Sequence, residues 1–192
     1  TETFEAGGGE ILFVSHSADP SEAVQKTNDY MTAYGDTDCI YATGEDYITP
    51  AADVIKSRGI TDCKIYGSNI SPSVCQLIMD GQVEACTGGE FVCGSLAVTL
   101  LINYLDGNPI KDADGTAPYF DNLTQFMVTA ENAEDFYEFL SDENLATHTI
   151  SDEEYQNLLV RNNPDVDYDY FYDFLTNYEE NVYAKVEANA AQ

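Results

Sequence analysis

Short apolar runs alternate with longer amphipathic stretches along the first hundred residues. Each run is bounded by turn-forming residues, which is the pattern of buried strands separated by helices. The predicted strands are residues 11–14, 39–42, 63–66 and 83–86. A further apolar segment, residues 126–128, follows a loop at residues 112–115.

The stretches between these runs carry helix start and stop signals. Asp19 and Ser71 each precede a proline, which is typical of an N-cap followed by a first helical residue, and Thr49-Pro50 predicts another start. Gly59 and Gly81 are placed to end two of these helices. The segment 91–105 predicts a very apolar helix that stops at the Gly-Asn-Pro of residues 107–109.

Regular alternation of strand and helix predicts an α/β fold. Because parallel strands need crossover connections, the expected architecture is an open parallel sheet with helices on both faces. We assign this lobe to residues 1–130. In sheets of this kind ligands bind at the carboxyl ends of the strands.

The character of the chain changes in its last third. Residues 131–192 hold 16 Asp and Glu against 2 Lys and Arg, together with 7 of the 14 tyrosines. Aromatic residues between 168 and 178 are dense enough to pack on another surface. We expect an acidic, Tyr-rich helical region that packs on the lobe.

The overall charge excludes some partners. The chain has 192 residues, 35 Asp and Glu against 7 Lys and Arg, and a formal net charge of -28. Nucleic acid is excluded because phosphate contacts need clustered Lys and Arg, and an anionic membrane surface is disfavoured for the same reason. At 44% hydrophobic residues the chain is nonetheless expected to fold.

Five cysteines, at positions 39, 63, 75, 86 and 93, show no CxxC spacing. An odd number in apolar segments favours buried small side chains over a disulfide framework, although a single disulfide stays open.

Candidate catalytic groups are few. Only His16 and His148 could serve as imidazole bases, and no cysteine has an electropositive setting, so we expect no enzyme activity. The loop at residues 87–95 lacks the lysine of a P-loop. The acidic run 165–169 lacks the glycine and the bidentate Glu of a calcium loop, and Asp112 with Asp114 is weaker still. No metal or cofactor is predicted.

What remains is a set of polar residues at the predicted strand ends. Carboxylates and amides on convergent loops can bind hydroxyl groups, which is the chemistry of sugar recognition. The candidate ligand-binding residues are Glu45, Asp46, Ser68, Asn69, Gly88 and Glu90, with His16 and Tyr47 as outer members. Loops of any such sheet carry polar residues, so the alternative is a purely structural role.

Four ordered segments resemble the type I periplasmic sugar-binding proteins of ABC transporters. Residues 38–46 (DCIYATGED), followed by Ala51, Ala52 and Gly59, are similar to a strand-helix unit of that family. Residues 64–69 (KIYGSN) resemble its next strand. The other two matches are residues 79–87 (MDGQVEACT) with Gly94 and the following helix, and residues 127–132 (MVTAEN).

The resemblance implies a solute-binding component of an ABC importer that closes two lobes over a sugar and docks on permease subunits. It implies an extracytoplasmic location, in the periplasm or lipid-anchored at the outer face of the cell membrane. Three site positions depart from the family: Glu45 stands for Asn, Asn69 for the sugar-binding Asp, and Gly88 for Gln.

The resemblance also implies that the first lobe is missing, so we expect the chain to be the carboxyl-terminal portion of a longer protein. The family packs the helix at residues 91–105 on that lobe. Here we expect this helix to be covered by the acidic tail or by self-association with a second copy. Two other readings remain: an effector-binding domain of a LacI-like transcription regulator, and a small α/β hydrolase-type enzyme.

Overall fold

The computed structural model describes residues 2–141 and 149–191. The chain packs as two compact units, Thr1–Cys86 and Thr87–Gln192. The elements of the first unit are α1 (Glu2–Ala6), α2 (Pro20–Ala33), β1 (Cys39–Ala42), α3 (Glu45–Ser57), β2 (Lys64–Ser68) and α4 (Pro72–Met79). The strand β3 (Ala85–Gly88) spans the division. The second unit contains a 3-10 turn (Glu90–Val92), α5 (Cys93–Leu105), β4 (Phe126–Thr129), α6 (Ala133–Ser141), α7 (Asp152–Asn157), α8 (Tyr168–Thr176) and α9 (Tyr178–Ala190).

The strands form one open sheet in the order β1-β2-β3-β4. β1 and β2 are parallel, with Cys39 opposite Lys64 and Ala42 opposite Gly67. Helices surround the sheet, and the predicted α/β class is confirmed. The predicted boundary at residues 130 and 131 concerned which residues form the ligand lobe, and it stays a prediction.

The caps predicted for two helices are present. The Asp19 side chain accepts a hydrogen bond from the Glu22 backbone N–H, and the Ser71 side chain accepts one from that of Val74. The prediction for α3 was wrong at its start, because the helix begins at Glu45 and holds Pro50 inside it. The Gly44 carbonyl already accepts from the first-turn amides, so the helix is under way before the proline.

The predicted first strand, residues 11–14, is wrong. These residues have no regular structure, and the side chains of Phe13 and Val14 are 48% and 66% exposed. Apolarity alone does not make a strand, because its backbone groups need a hydrogen-bonded neighbour. The Phe13 ring lies instead 3.8 Å from the ring of Tyr30 on α2.

The second unit is built around aromatic side chains. The ring of Phe126 on β4 stacks on Phe136 of α6 at 5.1 Å and lies 6.3 Å from the ring of Tyr178 on α9. Tyr183 approaches Phe136 edge-on, and its hydroxyl accepts from the Met127 backbone N–H. Aromatic side chains of α6 and α9 therefore pack on β4 within this unit, and the packing of the whole acidic region on the lobe stays a prediction.

The apolar helix α5 has two contrasting sides. Leu96, Thr99 and Asn103 are buried, and the Asn103 amide donates to the Leu158 carbonyl and accepts from the Val160 backbone N–H. The other side is exposed, with Val98, Leu101, Tyr104 and Leu105 between 53% and 71% accessible. The expectation that the acidic region covers this helix is right for one side only.

The cysteines at positions 39, 63, 75 and 93 are free thiols, and those at positions 63, 75 and 86 are buried. Burial raises the pKa of the Cys63 thiol to about 11 and that of Cys75 to about 12, which makes both unreactive. Within residues 2–141 and 149–191, no helix is long and apolar enough to cross a membrane, and no group of His, Cys, Asp and Glu could hold a metal ion.

Candidate functional site

The first unit places two carboxylates at the carboxyl end of β1. Glu45 and Asp46 form the first turn of α3, which begins three residues after β1 ends at Ala42. Acidic side chains are favoured there because the helix N-terminus carries partial positive charge. Glu45 is half-buried and Asp46 is exposed, so both can accept hydrogen bonds from a solute.

A close contact fixes α3 on the sheet. Gly67 lies in β2, and a Cβ atom there would come within 2.8 Å of Ile48 Cγ1 and 3.1 Å of the Ala42 carbonyl oxygen. Ile48 is fully buried. The missing side chain at Gly67 therefore lets the first turn of α3, with its carboxylates, pack directly on β2.

Ser68 and Asn69 lie beside these carboxylates in the fold. Ala42 pairs with Gly67, so the residues that follow the two strands leave the sheet at the same end. Asn69 has φ 74°, the only positive value of a non-glycine residue in the described chain. Asn tolerates this left-handed backbone better than other side chains do, and its amide is exposed.

The two outer candidates, Tyr47 and His16, differ in whether their side chains are already hydrogen-bonded. The Tyr47 hydroxyl donates to the Ser17 carbonyl at 3.1 Å, so Tyr47 ties the preceding loop to α3. The His16 side chain is exposed, and its backbone carbonyl accepts from the Lys26 ammonium group. His148 lies outside the described residues.

In the second unit, Gly88 ends β3 and Glu90 opens the 3-10 turn. Gly89 between them has φ 122°, and a Cβ atom there would lie 2.9 Å from Cε1 of Tyr178. Only glycine fits both the backbone angle and the ring. One carboxylate oxygen of Glu90, Oε2, is buried without a hydrogen-bond partner.

The structure thus brings together Glu45, Asp46, Ser68 and Asn69 at one sheet end, and places Gly88 and Glu90 on a tight loop of the second unit. His16 does not follow a strand, because residues 11–14 form none. Their combination into a single wall stays a prediction. Sequence reasoning missed two residues that hold these loops, Gly67 and Tyr178. The glycine at the end of β2 was a visible signal for the first; nothing local indicated the second.

An open groove of about 410 Å³ lies elsewhere in the second unit. It is lined by Tyr170, Asp173, Phe174, Asn177, Glu180 and Asn181. None of these is a predicted site residue, and the groove lies where the C-terminal half of α8 meets the start of α9.

The candidate residues disfavour an anionic ligand. They include three carboxylates, Glu45, Asp46 and Glu90, and no Lys or Arg, so an anionic solute would be repelled. Carboxylates accept hydrogen bonds from hydroxyl groups, and charged acceptors make the stronger bonds. A polyol or sugar fits this donor and acceptor set.

Comparison with known families decides what kind of protein this is. The periplasmic binding protein domain matches residues 2–109, more than half of the chain. The chain belongs to this family. Membership implies an extracytoplasmic location, and it agrees with the resemblance found in the sequence.

Solved structures of periplasmic binding proteins share the fold. A galactofuranose-binding protein is 16% identical with TM-score 0.60, covering 75% of this chain and 49% of its own. The arabinose-transporter binding component from Shewanella sp. ANA-3, bound to arabinofuranose, is 20% identical with TM-score 0.54, covering 67% and 42%. A periplasmic ribose ABC transporter protein from Conexibacter woesei is 20% identical with TM-score 0.55, covering 71% and 46%.

At these identities the likeness shows the fold alone. This periplasmic binding protein chain matches slightly under half the length of each of those neighbours. No curated protein sequence matches it. The neighbours themselves are named as binding and transport proteins.

Proposed function

We propose that this chain is the sugar-binding portion of the solute-binding component of an ABC importer. The observation that carries the proposal is the carboxylate and amide set at the shared end of β1 and β2, on a fold whose neighbours include proteins named for galactofuranose and arabinofuranose. The ligand would be a monosaccharide held by hydrogen bonds to its hydroxyl groups.

In this proposal each residue of the first unit has a distinct part. Asp46, exposed on the first turn of α3, and half-buried Glu45 accept from sugar hydroxyls. Ser68 and Asn69 can both donate and accept hydrogen bonds, so each can bind a sugar hydroxyl group that acts as acceptor or as donor. Tyr47 and His16 lie further out, with Tyr47 holding the loop by its bond to Ser17.

Glu90 adds an acceptor from the second unit. A buried carboxylate oxygen that lacks a donor costs free energy, and a donor that arrives with the ligand offsets that cost. Gly88 has no side chain and lets a ligand approach the backbone. The residues at Glu45, Asn69 and Gly88 differ from those of the family. Hydrogen-bond acceptors remain at the first two positions, and one side-chain amide is lost overall, which suits a sugar with a different pattern of hydroxyl groups.

The importer role completes the proposal. A second lobe would close over the sugar by a hinge motion, and the closed form would dock on permease subunits. The protein would act in the periplasm, or lipid-anchored at the outer face of the cell membrane.

Isothermal titration of the chain with D-ribose, L-arabinose, D-galactose and D-allose tests the proposal. We expect one of these sugars to bind weakly, because binding that uses one wall makes fewer hydrogen bonds than an enclosed site. Asp46→Ala should lower the affinity about tenfold or more, since it removes charged acceptors.

The matched control is Asp53→Ala, which removes an exposed carboxylate from the same helix away from its first turn. It should leave the affinity unchanged. Binding that responds equally to both substitutions, or no heat for any sugar at about 100 mM, would contradict the proposed site.

A further inference from the structure

The groove where α8 meets α9, here called the α8–α9 groove, is a cavity that the proposed sugar site does not use. Its lining positions recur at spacings of three and four across the corner between the two helices, so they form one continuous face. Its volume of about 410 Å³ is typical of small-molecule sites. The lining residues are Tyr170, Asp173 and Phe174 on α8, Asn177 at the corner, and Glu180 and Asn181 on α9.

Hydrogen bonds from a neighbouring loop hold this corner in place. The Thr124 hydroxyl accepts from the Glu179 backbone N–H at 3.0 Å and donates to the Thr176 carbonyl at 3.2 Å. The Asn122 amide donates to the Tyr172 carbonyl at 2.8 Å. These contacts lie outside the groove lining, so a ligand meets walls that are already formed, which lowers the ordering cost of binding.

The groove combines aromatic rings with carboxylates. Tyr170 and Phe174 lie one turn apart on α8, the first exposed and the second half-buried. Asp173 and Glu180 are both exposed. The Asn177 amide already donates to the Asp173 backbone carbonyl at 2.8 Å. Aromatic faces and carboxylates both attract positive charge, so this combination suits an organic cation.

The two groove carboxylates lack a cation in the described part of the chain. Residues 131–192 contain two Lys and Arg, and both form ion pairs elsewhere, Arg161 with Asp106 and Lys185 with Glu154. Neither groove carboxylate is in an ion pair within the described residues. A bound cation would supply the missing charge, whereas a neutral solute that displaced water would leave two charges unpaired.

We propose that the α8–α9 groove binds an organic ammonium ion, with its positive charge beside the two carboxylates and its carbon groups against the two aromatic rings. The net charge of -28 raises the local concentration of cations. Because the groove is open, the dissociation constant should be on the order of 1 mM. The proposal does not depend on the sugar site, and either can fail without the other.

Amide NMR titrations of the whole ¹⁵N-labelled chain with two matched probes test the proposal. One probe is choline chloride, and the other is its neutral carbon isostere, 3,3-dimethylbutan-1-ol, each raised to about 50 mM with the ionic strength held constant by NaCl. Choline should shift the backbone amides of Asn177, Glu180 and Asn181 to saturation. The alcohol should bind at least tenfold more weakly, because it has the same shape without the charge.

Two variants separate the part of the charge from that of the aromatic wall. Glu180→Gln keeps the shape of an exposed side chain and should weaken choline binding at least threefold. Tyr170→Leu keeps an apolar wall without the aromatic face and should weaken binding by a similar factor. The matched control, Glu187→Gln, removes an exposed carboxylate from α9 outside the groove and should leave the affinity unchanged.

Four outcomes would overturn the proposal. Equal binding of choline and the alcohol would show that charge plays no part. Equal weakening by Glu180→Gln and Glu187→Gln would show that choline only accumulates as a diffuse counter-ion. Groove amides that do not move with choline would leave the groove without this ligand. Tighter binding of D-ribose than of choline in the groove would assign it to sugars.

Discussion

Both units present a loop at a strand end, but they hold it in different ways. In Thr1–Cys86 the first turn of α3 rests on β2 through an aliphatic contact, Ile48 over Gly67. In Thr87–Gln192 the Gly88–Glu90 loop rests on the ring of Tyr178 in α9. Candidate ligand residues of the same kind therefore depend on two kinds of packing.

The difference also separates the shared domain from the rest of the chain. The domain match ends at residue 109, so Ile48 and Gly67 both lie inside it, whereas Tyr178 lies outside. A loop of the matched domain is thus positioned by the acidic C-terminal region. The aromatic helices that follow residue 131 form part of the support of the candidate site.

The largest effect is expected from Phe126→Ala. This ring is fully buried and stacks on Phe136, so its removal should lower the free energy of unfolding by about 3–5 kcal/mol. Urea denaturation followed by tyrosine fluorescence measures the change. Tyr119→Ala, at a ring that is 72% exposed, is the control and should stay within about 0.5 kcal/mol of wild type. Equal effects would mean that the aromatic core does not hold the second unit.

Gly89→Ala should have the next largest effect and lower the free energy of unfolding by about 2–3 kcal/mol, because alanine would be strained at φ 122°. Its methyl group would also collide with the Tyr178 ring. Tyr178→Leu in the same background should relieve the contact but leave the backbone strain. A full recovery of stability by that second change would show that strain at Gly89 is absent.

Gly67→Ala should have a smaller effect, about 1–3 kcal/mol, because it causes overpacking against Ile48 and the Ala42 carbonyl oxygen without a positive φ. Introduced into an Ile48→Ala background, the same change should cost clearly less, since only the contact with the Ala42 carbonyl oxygen remains. A double-mutant cycle in urea measures this coupling. Additive effects would contradict the contact and, with it, the way α3 is positioned.

The smallest effect concerns pH. Burial acts to raise the pKa of Glu154, but hydrogen bonds from Lys185 and Ser151 outweigh it and hold the pKa below its ordinary value. Stability from this group is therefore present above its unfolded pKa and is lost as pH falls through the lowered folded value.

Unfolding of wild type and Glu154→Gln, compared from about pH 6 to about pH 3, tests this sign. The difference between their free energies of unfolding should decrease as the solution becomes more acidic. Glu153→Gln, which removes an exposed carboxylate from the same helix, is the matched control. If the difference in unfolding free energy between wild type and Glu154→Gln increased in acid, the direction given for the pKa of Glu154 would be wrong.

Local signals predicted much of the first unit. Asp19 and Ser71 cap helices as their proline neighbours indicated, and residues 39–42 form a strand as predicted. The start of α3 was misplaced because Thr49-Pro50 resembles a helix opening, whereas the Gly44 carbonyl starts the helix five residues earlier.

Two other failures share a physical cause, since each depends on a neighbour distant in sequence. Residues 11–14 have the composition of a strand, but a strand also requires a partner, which no local pattern reports. Tyr178 supports Gly89 across a long separation in the chain. Strand-end chemistry could be predicted from the sequence, whereas the packing that holds the strand ends could not.

The most direct test of the account is a two-dimensional amide NMR titration of the ¹⁵N-labelled chain with D-ribose and L-arabinose. Each sugar is raised to about 100 mM, so that weak binding is detected. The account predicts shifts of the backbone amides of Glu45, Asp46, Ser68, Asn69 and Glu90, with the groove residues Tyr170 and Glu180 unmoved. Shifts confined to the groove, or no shifts even when D-galactose and D-allose are titrated as well, would contradict it.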